Sequence, residues 1–199
     1  RLNDVNSQTC SIPGYNLEIK NRIASAGGGV AIAVLENLSY NYVQGDMVHV
    51  DLEFETIGLE ITMGNTKFYV AEVYRTPGTN ESLSIARFEE LLLFFRNKRN
   101  VIIGTDQNFD LLKYSTHTNT STLLNTFTSH GYIPTATQPT RITHSTATLI
   151  DNIYIKTAVT TQHNTSILQT DLSDHLPILA TINTHIETKN NNLTKHRPL

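Results

Sequence analysis

The chain has 199 residues, 39% hydrophobic and 17% charged, which fits one globular domain and is not polar enough for disorder. Its 15 basic side chains stand against 18 acidic ones, and the net charge of −3 excludes a polybasic binder held by counterion release. The single Cys10 excludes an intramolecular disulfide and a cysteine zinc cluster, and no apolar run reaches membrane-spanning length.

In chain order, Ile12, Pro13, Gly14 and Tyr15 read as a loop with anchors. Gly27, Gly28 and Gly29 then precede Val30–Leu35, the pattern of a turn feeding a buried strand. A dinucleotide-binding reading of these glycines lacks both the required spacing and the following helix. From Val48 to Phe54 apolar residues alternate with His49, Asp51 and Glu53, which predicts a half-buried strand. Leu59–Thr62 and Lys67–Val73, joined through Gly64-Asn65, predict a hairpin, and Pro77-Gly78 a turn.

The period then changes. Ile85, Phe88, Leu92 and Phe95 predict an amphipathic helix over Ser82–Arg96, followed by a short strand over Asn100–Gly104. The threonine- and asparagine-rich stretch from Lys113 to Thr122 reads as a loop, with a second helix over Thr120–His130 and Gly131 just past its end. Strands are expected over Thr148–Lys156, Ser166–Leu168 and Leu176–Ile182, and the polar tail from Lys189 lies outside the core. Strands with two helices and at least one strand–helix–strand connection predict a layered α/β sandwich.

Polar residues at the ends of these apolar runs carry the chemistry. Asp106 and Asn108 follow Val101-Ile102-Ile103-Gly104, at the carboxyl end of a strand, where layered α/β proteins place ligand groups. They suit a metal and an anionic oxygen, or equally a capped turn with a left-handed asparagine. Asp151 sits inside a strand pattern and needs a partner. His175, flanked by Asp174, stands at the mouth of the last strand, either as an acid, base or phosphate contact or as part of a surface loop. Tyr74 and Arg75 end another strand and offer a hydroxyl donor and a guanidinium fork, or an ordinary edge aromatic. Ser173 has no nucleophile-elbow setting, and the remaining histidines show no metal-ligand spacing.

Taken in order, these segments resemble the endonuclease/exonuclease/phosphatase superfamily, and above all the apurinic-like endonuclease domain of non-LTR retrotransposons. The segments are Gly28-Gly29-Val30-Ala31-Ile32, Tyr74-Arg75-Thr76-Pro77, Gly104-Thr105-Asp106-Gln107-Asn108, Ile150-Asp151-Asn152-Ile153 and Ser173-Asp174-His175-Leu176-Pro177-Ile178. The resemblance implies a DNase I-like sandwich of two mixed β-sheets flanked by helices over residues 1–187, with 188–199 as a tail. It implies Mg²⁺- or Mn²⁺-dependent nicking of DNA, a reverse transcriptase domain downstream in the parent polyprotein, and a nuclear place of action.

By the same resemblance, Asp106 orients or deprotonates the attacking water and Asn108 contacts the scissile phosphate. His175, held by Asp151, stabilises the phosphoryl oxygens or moves a proton. Asp174 assists the metal or leaving group, and Tyr74 and Arg75 contact the phosphate. Gln107 stands where the family carries an aromatic residue. The family's first strand, with its Asn, and the Glu that ligates the metal match nothing here and are expected upstream of Arg1, so the 199-residue polypeptide alone is expected to be inactive. Two other functions remain open, a phosphomonoesterase of the same superfamily and a non-catalytic element remnant.

Overall fold

The computed structural model describes residues 10–23, 28–156 and 162–183. Gly27, the start of the chain and the tail from Lys189 lie outside the described residues. The chain begins with a hairpin of β1 (Tyr15–Lys20) and β2 (Val30–Leu35), then β3 (Ser39–Tyr42), β4 (Phe54–Met63) and β5 (Thr66–Arg75). Helix α1 (Glu81–Phe94) leads to β6 (Val101–Asp106), and α2 (Thr118–Ser129) to β7 (Tyr132–Pro134). The short β8 (Arg141–Ile142) and β9 (Ala147–Thr148) precede β10 (Asp151–Lys156), and the last hairpin joins β11 (His163–Ile167) to β12 (Ile178–Ile182).

Six strands form one mixed sheet in the order β3-β4-β5-β6-β10-β7. β4 and β5 are a long antiparallel hairpin, whereas β5 and β6 run parallel. A parallel pair requires a crossover, and α1 supplies it. One face of the sheet packs on the helices. Phe54, Ala71, Val73, Val101, Ile103 and Tyr154 meet Phe88 and Leu91 of α1, Phe95 at its C-cap, and Leu123 and Phe127 of α2 in a single buried cluster. Phe127 stacks on Tyr154 with ring centres 3.7 Å apart. Each of these large side chains contributes roughly 1.5–3 kcal/mol by leaving water.

The cap of α1 is local at one end and distant at the other. The Asn80 side chain accepts from Leu83 N at 3.0 Å, and Lys156 of β10 donates to the carbonyls of Phe95, Arg96 and Lys98 at 2.9, 2.9 and 3.0 Å. The β1–β2 hairpin lies over β4 and β5 on the other face, and the start of β12 borders β10 there. The result is an α/β architecture of mixed sheets and flanking helices, as expected.

The strand expected over Thr148–Lys156 is interrupted at Leu149-Ile150 between β9 and β10, and two further segments differ from the sequence expectation. Val48–Glu53 is a turn rather than a strand, closed by reciprocal backbone bonds between Val50 and Phe54 at 2.8 Å, with Leu52 at φ 68°. The alternating polar residues satisfy other elements instead: His49 accepts from Thr56 N, Asp51 from Ile23 N, and Glu53 from Arg87. The threonine-rich stretch expected as a loop supplies the first turn of α2. Burial of Thr120, Leu123 and Phe127 decides this, and Thr122 and Thr126 bond back to the carbonyls of Thr118 and Thr122 at 2.9 Å.

Candidate active site

Strand alternation and register together build one row of side chains. Glu55 pairs with Tyr74, Tyr74 with Asp106, and Asp106 with Asp151. Paired residues project from the same face, so these side chains cross β4, β5, β6 and β10 on the face away from the helices. One step back along the strands, Glu72 pairs with Gly104. A Cβ at residue 104 would collide with the Glu72 carboxylate, so glycine is what lets this acid lie across β6.

His175 completes the row. Its Nδ1 lies 3.1 Å from both Asp151 carboxylate oxygens. Thr140 donates its hydroxyl to Asp151 Oδ2 at 2.7 Å while accepting from the backbone N–H groups of Ile150 and Asp151 at 3.2 and 3.1 Å. The loop that carries His175 is fastened to the same segment, since Leu176 N donates to the Thr140 carbonyl at 2.6 Å and Arg141 bridges His175. With a carboxylate on Nδ1, that nitrogen carries the hydrogen and Nε2 remains for chemistry.

The row borders an open cleft of about 380 Å³ lined by Glu72, Gly104, Asp106, Asp151, Ser173 and His175, among others. Asp106 Oδ1 is buried there without a hydrogen-bond partner among the described residues. Burial, then the neighbouring Asp151, pushes the Asp106 carboxyl up to about 7. Burial, then Asp106 and Asp151, pushes Glu72 up to about 8. Ligating atoms of Asp106, Asp151 and His175 all lie within 4.8 Å of one another. An orphaned carboxylate oxygen among mutually repelling acids is a place where a hard divalent cation fits, and the oxygen-rich donor set suits Mg²⁺ or Mn²⁺.

The other expected residues divide. Tyr74 stands in the row beside Asp106. Asn108 adopts the left-handed φ of 51° just past β6, and its amide donates to the Arg75 carbonyl at 2.7 Å. Asp174 lies outside the ligand cluster: its exposed carboxylate accepts from Arg141 Nε at 2.7 Å, a bond that holds its pKa below the usual carboxylate range. Arg75 differs most from the expectation. It is 2% exposed, on the helix face opposite Tyr74, and donates to Ser84 Oγ and to the carbonyls of Thr79, Gln107 and Asn108. Its guanidinium also covers the Phe109 ring at 4.4 Å, so it braces the strand ends rather than facing a phosphate. Gln107 is fully buried and accepts from the Tyr154 hydroxyl at 2.8 Å.

Sequence reasoning missed Thr140 and Glu72. Glu72 carried the same signal as Asp151, an acid inside an apolar strand. Thr140 carried none, because its partners are 10 and 11 residues away and depend on the fold.

A family model described as endonuclease-reverse transcriptase matches residues 68–179. No curated protein matches the chain. Among solved structures, the endonuclease domain of TRAS1, a telomere-specific non-LTR retrotransposon, superposes with a TM-score of 0.70 at 14% identity, covering 87% of this chain and 80% of that one. Danio rerio TDP2, humanized by 14 mutations, gives 0.62 at 14% identity over 90% and 81%. A mannosyl-6-phosphatase of Bacteroides thetaiotaomicron gives 0.57 at 14% identity over 86% and 78%. These likenesses establish the endonuclease/exonuclease/phosphatase fold. With the family match spanning more than half its length, the chain belongs to the endonuclease-reverse transcriptase family.

Proposed function

We propose that the chain is the metal-dependent, DNA-nicking endonuclease domain of a retrotransposon-type polyprotein, accompanied there by a reverse transcriptase domain. The observation that carries this reading is the convergence of Asp106, Asp151 and His175, from three separated segments, on one cleft. The cluster of Asp106, Asp151 and His175 would hold a divalent cation, which when bound would supply charge compensation for the phosphate and its leaving oxygen.

The chain's own groups divide the remaining work. Asp106 orients or deprotonates the attacking water from this cluster; with no cation bound, burial and then the neighbouring Asp151 push its carboxyl up to about 7. His175 Nε2 faces the non-bridging oxygens, with its tautomer held by Asp151 and Asp151 held by Thr140. Tyr74 donates its hydroxyl to the phosphate from the neighbouring strand, and Asn108 contacts it from beyond β6. Asp174, tied to Arg141, assists from the rim. The net charge of −3 gives little general attraction to DNA, so affinity depends on the metal and on local contacts.

The test is relaxation of supercoiled plasmid in Mg²⁺ by the polypeptide in its full encoded length, beside abasic DNA and inositol phosphates. Nicking that disappears in His175→Ala is the expected result. Turnover of inositol phosphates without nicking would overturn the DNA reading, and no turnover of any substrate would overturn the enzymatic one.

A further inference from the structure

We propose that Arg22 is a positioning residue for Tyr74, locking the phenol in the catalytic row, a role that rests on the phosphodiester reading above. Glu55 and Tyr74 are direct partners across β4 and β5. The Arg22 guanidinium spans them: Nε pairs with the Glu55 carboxylate, and Cζ lies 5.7 Å from the Tyr74 ring centre. Arg22 therefore stands at the end of the row that continues through Tyr74 to Asp106 and Asp151.

The surroundings are built to hold this group. Side-chain exposure is 13% for Arg22 and 0% for Glu55. The Glu55 carboxylate also accepts from Gly29 N at 2.9 Å and Leu52 N at 3.3 Å, so backbone donors hold it alongside the guanidinium. Gly28, at φ 136°, passes so close to Arg22 that a Cβ there would lie 2.5 Å from Cζ. Gly29, at φ 100°, passes as close to the Lys20 carbonyl. The glycines ahead of β2, which resemble a phosphate-binding loop only superficially, let the chain fold over this arginine.

Stability alone does not account for the pair. A buried ion pair contributes little beyond a well-packed apolar pair of similar volume, because desolvation offsets the attraction. What the arginine adds is a permanent, planar cation against the phenol ring. Such a contact favours one orientation of the ring. A hydroxyl that must meet one phosphate oxygen benefits from that restriction, since orientation paid in the folded state is not lost on reaching the transition state. Arg22 acts here through Tyr74 and needs no contact with the phosphate.

A double-mutant cycle in the plasmid-nicking assay tests this, with Arg22→Lys, Tyr74→Phe and the pair compared for kcat and KM. Lysine keeps the charge beside Glu55 but lacks the planar face. Arg22→Lys is expected to lower kcat about tenfold, on the scale of 1.4 kcal/mol per decade, with KM unchanged, and to cost nothing further in Tyr74→Phe. Additive losses, or an effect confined to KM, would overturn the proposal, the latter marking Arg22 as a direct phosphate contact. Should Arg22→Lys not fold, the paired change Arg22→Met with Glu55→Leu enters the same cycle. A separate readout uses protein labelled with 3-fluorotyrosine, in which the ¹⁹F resonance of residue 74, assigned by its loss in Tyr74→Phe, is expected to move in Arg22→Lys. An unmoved resonance overturns the contact itself, whereas a resonance that moves in Arg22→Lys together with a wild-type protein that does not nick locates the failure in the phosphodiester reading.

Discussion

Asp106 and Asp151 are direct cross-strand partners on β6 and β10, two carboxylates on one face of the sheet with His175 Nδ1 3.1 Å from the second. Like charges this close oppose joint ionisation, while the imidazole on one of them separates their roles. Asp151 becomes the orienting partner of His175, and Asp106 keeps the buried, unpaired oxygen.

Removing the charge of Asp151 while keeping its shape therefore acts on His175. Asp151→Asn presents an amide to Nδ1 and no longer favours the hydrogen there. Single-turnover nicking is expected to fall about 10³–10⁴-fold, the scale seen when a histidine base loses the carboxylate that sets its tautomer. A variant within tenfold of wild type would refute the orienting role. Thr140→Val should weaken both stability and activity, by about 1–3 kcal/mol in stability for the unpaired backbone groups it leaves, with Thr140→Ser restoring them.

Glu72 makes stability depend on pH in a defined direction. Its carboxyl titrates near 8 in the folded chain against an ordinary value of 4.5. Between those values the folded state keeps a proton that the unfolded state has lost, so stability falls as pH rises through this window. Glu72→Gln removes that fall. Urea unfolding at pH 5 and pH 9 should give the variant a smaller loss between the two than wild type, and equal losses would contradict the assignment.

Metal binding competes with the proton on Asp106. With that carboxyl titrating at about 7, the rise in melting temperature caused by Mg²⁺ should be larger at pH 8 than at pH 6. Asp106→Asn should abolish the rise at both. A metal-induced shift that survives this substitution would place the ion elsewhere.

Arg75 separates bracing from phosphate binding. Its guanidinium is buried and donates to Ser84 and to backbone carbonyls on both sides of β5's end. Arg75→Met should destabilise the fold by about 3 kcal/mol or more through orphaned buried acceptors, measured by chemical denaturation. Unchanged stability with raised KM would return it to the phosphate.

Adjacent pairs mark where the sequence stops being informative. Tyr74 and Arg75, or Asp174 and His175, look equally eligible side by side. Neighbouring side chains of a strand point to opposite faces, so Tyr74 joins the row beside Asp106 while Arg75 enters the helix core; in the loop before β12, His175 lines the cleft and Asp174 stays at the rim on Arg141. Glu55 and Arg22 were invisible for another reason: each is an unremarkable charge until the Gly28–Gly29 segment brings them together 33 residues apart.

The apolar runs, strand-end acids and the histidine before β12 determined the layered α/β class and made Asp106, Asp151 and His175 candidates, because period-two burial and strand-end placement are local properties written in the chain, while the family rested on the resemblance of the ordered motifs. Register was not. Which strands neighbour one another, and which residues stand opposite across them, follows from packing the whole sheet against α1 and α2. Only that packing aligned Glu55, Tyr74, Asp106 and Asp151 in one row, turned Arg75 away from it and set Thr140 behind Asp151.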